Sequence, residues 1–458
     1  MISRRALLAQ IPLLSAGRQL APRRHPSLSL VERLQTAFDN LEIADTHEHF
    51  HDERDRVAMH MDFFMLAWDG YVMSDMVSAG LPQESSRLIR DPQASDLDRW
   101  RVFEPYWQLT RFTGAGQALR RAVRDLYGFE PSASTIRQIN EKIRLRNKAG
   151  LYRSILRDRA HIRFCVVDDS CGGCTKMAST KENFQLFVLA RRFDQFILFM
   201  KPSDIHQLEG ETSVSISSLD DLTHALEKSF ENNLSQGMKA VKIALAYLRE
   251  LVFNEVSKSD AERDFHVLMH EERPIPQGFR TAFERPYRAL EDYMFHAVLR
   301  LCDSHSLPVQ IHTGVFAGSG NRFTNSRASN LINTFLLYPR VQFDIFHLSF
   351  PYQEELVALA RSFPNVYADF CWAFTISPAV SLRMIDEFLD AVPINKIFLF
   401  GGDYKHPELT YAQAKLARES AAHVLARRVE ARWCTEEEAL KIGKALLYDN
   451  AARIYKWT

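Results

Sequence analysis

The sequence lacks a long apolar run, a surplus of one charge and a disulfide-rich pattern. No hydrophobic stretch approaches the roughly 20 residues that a membrane-spanning helix needs. Lysine plus arginine and aspartate plus glutamate number 57 each, so no net charge attracts nucleic acid or an anionic membrane. The composition therefore predicts a small molecule as the binding partner, and it leaves open whether the chain forms a homo-oligomer.

Cysteine is scarce as well, with six residues in 458, and a chain of this length needs no disulfide bonds. Cys171 and Cys174 form a CGGC pair, which is compatible with a redox pair or with half of a metal knuckle. No second CxxC motif completes a zinc ribbon. We therefore interpret the pair as a glycine-rich loop after a strand.

The first residues give two readings of where the protein resides. The segment 3–8, SRRALL, resembles a twin-arginine export signal, and a mildly apolar stretch follows it up to Gly17. This stretch is short, and no small-residue cleavage site follows. We expect either an exported enzyme or a cytoplasmic one with a basic tail. In both cases residues 1–27 lie outside the folded domain, which we expect over 28–458.

From about residue 160 onward, apolar strand-like runs alternate with amphipathic helix-like runs, which is typical of βα units. Eight strands are predicted, the number that closes a (β/α)8 barrel of the TIM type. They are Leu41–His47, Ile162–Val167, Gln195–Met200, Ala240–Ala246, Val309–His312, Val341–His347, Val366–Phe370 and Ile397–Phe400. Helices are predicted over 283–306, 352–363, 378–391 and 409–431.

Two segments interrupt the alternation. Residues 52–160 are rich in aromatic, methionine, arginine and leucine residues at helical spacing, which predicts a large helical insertion after strand one. Residues 249–282 are polar and contain proline, so we expect a long loop after strand four. Both segments follow the carboxyl end of a strand, where barrel enzymes keep their active sites, and should form a lid or pocket wall.

A candidate metal site begins at the first strand. Within IADTHEH, residues 43–49, His47 and His49 stand two positions apart and therefore face the same way. Two imidazoles on one side of a strand can bind one divalent cation. An H-x-H pair alone is weak evidence, because such histidines are more often incidental.

Three further ligand-type residues strengthen the hypothesis. His312 and His347 each end an apolar strand, and Asp403 follows the last strand after two glycines. Since the carboxyl ends of barrel strands converge on one cavity, we expect these side chains to meet His47 and His49.

Lys242 should also face this cavity. The period of two along strand four directs Val241 and Ile243 outward and Lys242 into the barrel. A buried ammonium is costly, so the lysine must be neutralised, carbamylated or paired. It could bridge two metals as a carbamate, bind a substrate carboxylate, or extend to the rim without a chemical role.

Four residues are candidates for substrate binding. Arg249 and Arg322, in the loops after strands four and five, could each clamp a carboxylate with two hydrogen bonds, although both are equally compatible with ordinary surface arginines. Tyr247 and Trp372 lie just beyond strands four and seven, where they could form pocket walls.

Several stretches resemble the amidohydrolase superfamily, in particular its amidohydrolase-related branch. They are KIALAY at 242–247, LPVQIHTG at 307–314, HLSFPY at 347–352, PNVYAD at 364–369, GDYKHPE at 402–408 and YDNAARIY at 448–455. The C-terminal half is most similar to the amidohydrolase part of nodulin/glutamine-synthetase fusion proteins. Residues 100–128 distantly resemble the helical insertion of uronate isomerases, whose Arg-Pro-Asp element after strand three appears here only as KPSD at 201–204.

The resemblance implies one divalent ion, or two, of the zinc type, held by His47, His49, His312 and Asp403, with Lys242 as the bridging candidate. Asp403 would accept the proton of the attacking water. His347 would either bind a second metal or hydrogen-bond the water and the oxyanion. Oxygen and nitrogen ligands suit zinc, manganese or iron about equally.

Three functions compete at this stage. The first is hydrolysis of a C–N bond, in an amide or cyclic amide, of a small polar substrate. The second keeps the metal for a sugar-acid isomerase or a non-oxidative decarboxylase. The third is a barrel that has lost activity and serves as a scaffold, but no ligand of the motif is missing. Fold alone does not decide among them.

Overall fold

The computed structural model describes residues 28–169, 185–271 and 285–457, together with Met177, Thr180 and Asn183. In these residues, eight parallel strands follow one another in chain order around a single sheet. They are β1 Ile43–Glu48, β2 Ile162–Asp168, β3 Phe187–Arg192, β4 Met238–Ile243, β5 Val309–Ile311, β6 Phe343–Ile345, β7 Val366–Asp369 and β8 Ile397–Phe398. The N–H groups of Thr46 and Asp403 donate to the carbonyls of Phe400 and His47, joining β1 to the chain after β8. The predicted TIM-type barrel is therefore confirmed as nearly closed.

Helices surround this sheet. They are Leu30–Asn40, Pro202–Thr212, Leu219–Ser235, Lys258–His270, Arg288–His305, Ile332–Leu337, Gln353–Ser362, Ala373–Ile376, Pro378–Ala391, Pro407–Glu430, Glu436–Lys444 and Asn450–Ile454. The four outer helices predicted from periodicity are all present, with bounds shifted by a few residues. None of the helices in the described ranges has the length and apolarity to cross a membrane.

The alternation along β4 divides the core into two layers. Val241 and Ile243 belong to the large apolar cluster between the sheet and the helices, whereas Ala240 belongs to a smaller cluster inside the barrel. Tyr455, just after the last helix, packs into this inner cluster. The C-terminal helix therefore closes one end of the barrel, and the other end remains for the site.

Strand three was predicted in the wrong place. The prediction put it at Gln195–Met200, but β3 is Phe187–Arg192, and Asp194–Phe196 form a short 3-10 turn. The apolar run after the turn is buried without joining the sheet. Two adjacent arginines at the end of β3 break the apolar pattern that predicts a strand, and this explains the error.

The helical insertion is confirmed between β1 and β2. It contains the helices Glu53–Ala58, Phe63–Asp69, Val72–Ser78, Gln83–Arg90, Asp96–Thr110, Gly114–Tyr127 and Ile136–Arg146. A contiguous group of buried aromatic rings, including Phe63, Trp100, Phe103 and Trp107, gives the insertion a core of its own. Such rings contribute much of a domain's apolar burial.

The expected loop after β4 is only partly a loop. Within 249–282, residues Lys258–His270 form a helix, whose start is capped by the Ser257 hydroxyl accepting from the backbone N–H of Asp260. The polar composition of this segment reflects an exposed helix face, not irregular chain. Residues 272–284 lie outside the described residues, as do Cys171 and Cys174 of the CGGC motif.

A buried ion pair joins the insertion to the barrel. Arg56 of the insertion donates to Glu408, at the start of helix Pro407–Glu430, over 2.9 Å, and neither side chain is more than 1% exposed. Arg56 also donates to His406 and to Asn147, and the Tyr127 hydroxyl donates to Glu408. Because both charges are removed from water, each needs the opposite charge beside it to offset the free-energy cost of burial.

We expect Glu408→Gln to lower the free energy of unfolding by about 3 kcal/mol or more, because it leaves the Arg56 charge buried without a counter-ion. Urea unfolding followed by circular dichroism measures the change. Glu437→Gln is the matched control, since Glu437 pairs with Lys441 on the surface and both are largely exposed. Equal stability of the two variants would contradict a role of this pair in docking the insertion.

Candidate metal centre

Five of the predicted site residues, the four histidines and Asp403, converge at the carboxyl ends of the strands. His49 Nε2 lies 3.1 Å from Asp403 Oδ1, and His47 Nε2 lies 3.8 Å from the same oxygen. His347 Nε2 lies 3.8 Å from Asp403 Oδ2 and 3.1 Å from His312 Nδ1. The structure thus brings residues from β1 and from the turns after β5, β6 and β8 into one cluster.

The outer nitrogen of His47 fixes the tautomer of its ring. His47 Nδ1 lies 3.0 Å from Gln310 Oε1. The amide nitrogen of Gln310 donates to the Thr46 carbonyl and to the Tyr455 hydroxyl, each over 2.7 Å, so its oxygen must face His47. His47 therefore carries its proton on Nδ1, and Nε2, which has no hydrogen-bond partner among the described residues, points a lone pair into the cluster.

The rings of His49, His347 and His312 each direct one nitrogen outward to a backbone carbonyl. His49 Nδ1 lies 3.0 Å from the Asp168 carbonyl, His347 Nδ1 2.9 Å from the Cys371 carbonyl, and His312 Nε2 3.0 Å from the Val315 carbonyl. A carbonyl only accepts, so each ring donates outward. The other ring nitrogen of each histidine faces the cluster.

This arrangement fits a divalent cation. Burial holds the pKa values of His47 and His312 well below the ordinary histidine range and lowers the pKa of His347 to about 4. These rings are neutral at pH 7. His347 Nε2 lies 3.1 Å from His312 Nδ1, and because neither nitrogen carries a proton, two lone pairs face each other at this contact. Imidazole lone pairs and a carboxylate are the donor set of zinc-type sites, and outward hydrogen bonds orient such ligands.

Left-handed backbone conformations orient several of these side chains. His347, Trp372 and Asp403 have φ values of 60°, 59° and 62°, which non-glycine residues seldom adopt. Gly402 is required beside Asp403, since a Cβ there would lie 1.8 Å from Glu48 Oε1. Glu48 in turn accepts from the Tyr404 N–H over 2.7 Å, which fastens this turn to β1.

Lys242 lies inside the barrel, as predicted. Its side chain is buried, and Nζ lies 3.7 Å from the centre of the Phe346 ring, a cation–π distance. Burial lowers the pKa of Lys242 to about 8, while Asp403 and Asp168 favour its charged form. With 1% exposure it does not extend to the rim, so that alternative is wrong.

A cavity of about 730 Å³ opens beside the cluster. His49, His312, Asp403 and Lys242 line its floor, and Tyr247 forms part of its wall with its ring centre 4.8 Å from that of His312. The insertion supplies Trp68, Asp69 and Tyr71 to the opposite wall, as expected for a lid or pocket wall.

Trp372 packs beside the cluster, behind the wall of this cavity. Its ring centre lies 5.3 Å from that of His347 and 4.6 Å from that of Tyr71. It borders a neighbouring cavity of about 480 Å³, which also has Tyr71 in its lining.

The two arginines predicted as carboxylate clamps lie elsewhere. Arg249 is fully buried and donates to Glu291 over 2.8 Å and to Asp292 over 2.6 Å, so its guanidinium is engaged in a structural ion pair. Arg322 is exposed on the loop after β5 and is not part of the cavity wall within the described residues. The structure therefore places neither arginine in the described lining of this cavity, and substrate binding by them stays a prediction.

Arg192 is the cation that the sequence prediction missed. It ends β3, lines the cavity and donates to Asp168 Oδ2 over 2.6 Å. Burial opposes ionisation of Asp168, but the Arg192 charge holds its pKa down to about 2. Asp194 also lines the cavity, and burial raises its pKa to about 6. The adjacent arginines at 191–192 and aspartates at 168–169 could have indicated charged residues at the site. They were overlooked because strand three was predicted in the wrong place.

Comparison with known proteins agrees with this geometry. Residues 265–457 match the amidohydrolase family model. Protein fluG of Emericella nidulans is 23% identical over 257 residues, which are 54% of this chain and 29% of fluG. The chain thus spans less than a third of that relative's length.

Solved structures extend the likeness over the whole barrel. A uronate isomerase from Thermotoga maritima has a TM-score of 0.75 at 17% identity, covering 93% of this chain and 97% of that one. A glucuronate isomerase from Caulobacter crescentus has a TM-score of 0.71 at 17% identity, covering 93% and 94%. At these identities the likeness concerns the fold. The family match in the C-terminal region, the relative and the shared fold together confirm the predicted resemblance to the amidohydrolase superfamily.

Proposed function

We propose that this protein is a metal-dependent hydrolase that cleaves a C–N bond, in an amide or cyclic amide, of a small anionic substrate. The observation that carries the proposal is the set of inward-facing ring nitrogens of His47, His49, His312 and His347 around the carboxylate of Asp403. The match to the amidohydrolase family supports hydrolysis.

His47, His49 and Asp403 would hold the ion, since their ligand atoms lie within 4.8 Å of one another. His312, whose Nδ1 faces the same cluster, would complete the set. A divalent ion of the zinc type would supply Lewis acidity there. The outward hydrogen bonds keep the histidine lone pairs directed at the ion before it arrives.

Asp403 transfers the proton. Burial alone would raise the pKa of its carboxyl, but the hydrogen bond with His49 and the nearby Lys242 charge lower it, so the group is ionised at neutral pH. As a carboxylate, it accepts the proton of the attacking water and returns it to the leaving nitrogen.

His347 and Lys242 divide the remaining roles. The Nδ1 proton of His347 is engaged by the Cys371 carbonyl, so its neutral ring offers only a lone pair to the centre and cannot donate to an oxyanion. Lys242 is the donor that lines the same cavity. Its ammonium stabilises the negative charge that develops on the substrate oxygen.

The cavity favours an anionic substrate of modest size. Arg192, Lys242 and Lys405 line it, and a volume of about 730 Å³ is typical of small-molecule sites. Asp69 lines it as well and lies 4.0 Å from Lys405. A substrate that carries both a carboxylate and a hydrogen-bond donor matches this lining.

A sugar-acid isomerase is the second candidate. The fold likeness to the uronate isomerase covers 93% of the chain, insertion included, and the insertion supplies Asp69 and Tyr71 to the cavity. In that reaction the same residues would hold a hydroxy-aldehyde and move a proton between its carbons.

Metal content tests the basis of both candidates. Protein purified without chelators should contain about one or two equivalents of a zinc-type ion by plasma mass spectrometry. His47→Ala and Asp403→Asn should lose both the ion and the activity, whereas His423→Ala, at an exposed helix position, should lose neither. Full activity of metal-free wild-type protein would refute the proposal.

The reaction itself is tested with two substrate panels. With N-acylated amino acids and carboxylated cyclic amides, we expect amine release or ring opening that Asp403→Asn abolishes. With hexuronates, we expect no ketose. Ketose formation without any hydrolysis would favour the isomerase and overturn the hydrolase.

Lys242→Met should lower kcat by about 10²–10³-fold, because it removes a buried donor to the developing oxyanion. Its metal content should remain that of the wild type. Lys239→Met is the matched control, since Lys239 lies on the same strand but is exposed. Loss of an equivalent of metal in Lys242→Met, with rescue by a short-chain carboxylic acid, would instead establish a carbamylated ligand.

A further inference from the structure

A second cavity adjoins the one beside the metal centre. Its volume is about 480 Å³, which lies within the range typical of small-molecule sites. The insertion helix Val72–Ser78 and the loop after β5 border both cavities. The residues that line both are Tyr71, Ser74, Val77, Gly318 and Ser319. The two cavities are therefore neighbouring parts of one cleft, and a single ligand can extend through both.

The boundary between the two cavities lies next to the metal centre. The Tyr71 hydroxyl donates to the backbone carbonyl of Asp403. Trp372 lines the second cavity, and its ring centre lies 5.3 Å from that of His347. A substrate whose reacting bond lies at the centre can therefore place one half in the larger cavity and the other half in the second one.

Aromatic side chains line the second cavity. Tyr71 and Trp372 have ring centres 4.6 Å apart, and Phe316 is also part of the lining. The aliphatic residues of the lining are Val77, Ala115, Val315 and Ile376. Aromatic groups pair favourably with other rings in offset or edge-to-face arrangements, so this lining favours a ligand group that contains a ring.

Charge distinguishes the two cavities. Arg192, Lys242 and Lys405 line the larger one. The described lining of the second cavity contains Asp75 but neither lysine nor arginine. The Thr113 hydroxyl donates to Asp75 Oδ2 over 2.6 Å, which keeps this carboxylate at the wall. A substrate carboxylate is therefore attracted to the larger cavity, and the half that occupies the second cavity should be uncharged.

We propose that the second cavity binds the aromatic acyl group of the substrate, so that the protein hydrolyses amino acids acylated on nitrogen by an aromatic acid. The proposal rests on the proposed function, because the amide bond would lie at the metal centre between the two cavities. In such a substrate the amino-acid half carries the carboxylate and the acyl half is uncharged. Hydrolysis adds water across the amide C–N bond and releases an aromatic carboxylic acid and an amino acid.

Binding without turnover tests the acyl subsite. The probe N-(2-naphthylmethyl)glycine keeps the ring and the carboxylate but has no carbonyl to hydrolyse, and N-ethylglycine is the matched probe without the ring. In isothermal titration calorimetry the naphthyl probe should bind at least about tenfold more tightly. Ser78→Trp should remove this preference, because Ser78 is exposed, lines only the second of these two cavities, and would fill it with a larger side chain. Ala79→Trp is the control, since Ala79 is also exposed but is in the described lining of neither cavity.

Turnover provides an independent measurement. The kcat/KM for N-(2-naphthoyl)glycine should exceed that for N-acetylglycine by at least about tenfold. Ser78→Trp should abolish this ratio, and Ala79→Trp should retain it.

The outcomes separate the subsite from the proposed function. Equal affinity of the wild-type protein for the two probes would overturn the subsite, and hydrolysis of either amide would then leave the proposed function intact. Tighter binding of the naphthyl probe that Ser78→Trp removes, without hydrolysis of any amide, would support the ring-binding cavity and count against the hydrolase. A preference for the naphthyl probe that persists in Ser78→Trp would place the ring elsewhere and overturn the subsite.

Discussion

The site depends on one constraint: the outward-facing ring nitrogen of each histidine donates its proton to an acceptor outside the cluster. Gln310 and three backbone carbonyls accept those protons, and the inner nitrogens face one another and Asp403. The barrel supplies these acceptors because the ends of neighbouring parallel strands lie side by side. Without a cation the lone pairs of His312 and His347 repel each other, so the surrounding fold must hold these two rings together at a cost in stability.

The floor of the barrel provides part of that support. The amide of Gln310 is fixed by Thr46 and by the Tyr455 hydroxyl, which comes from the C-terminal end of the chain and also donates to Asp344. The orientation of a ligand on β1 is thus determined by a residue more than 400 positions away. Such a chain of hydrogen bonds is rigid only if each group has its partner. A change in the C-terminal helix should therefore alter the orientation of the His47 ring.

Sequence reasoning succeeded where local pattern and barrel geometry suffice. The period of two along β1 and the strand ends predicted His47, His49, His312, His347 and Asp403 together. It could not identify distant partners, since nothing near Arg249 reveals that Glu291 and Asp292, about 40 positions later, bind it within the core. Arg192 was missed because charged residues at the end of β3 concealed the strand.

The tautomer of His406 connects the ion pair that docks the insertion to the wall of the cavity. Arg56, the buried partner of Glu408, donates to His406 Nδ1, so the remaining proton of His406 lies on Nε2 and is donated to Asp69 over 2.9 Å. Burial would raise the pKa of Asp69, but this bond and the nearby Lys405 charge lower it, so the cavity lining contains an anion besides its cations. The contact that docks the insertion thus also sets the charge that a substrate meets. Reactions on this barrel are distinguished by the site and not by the fold, and the insertion supplies Trp68, Asp69 and Tyr71 to the lining of this site.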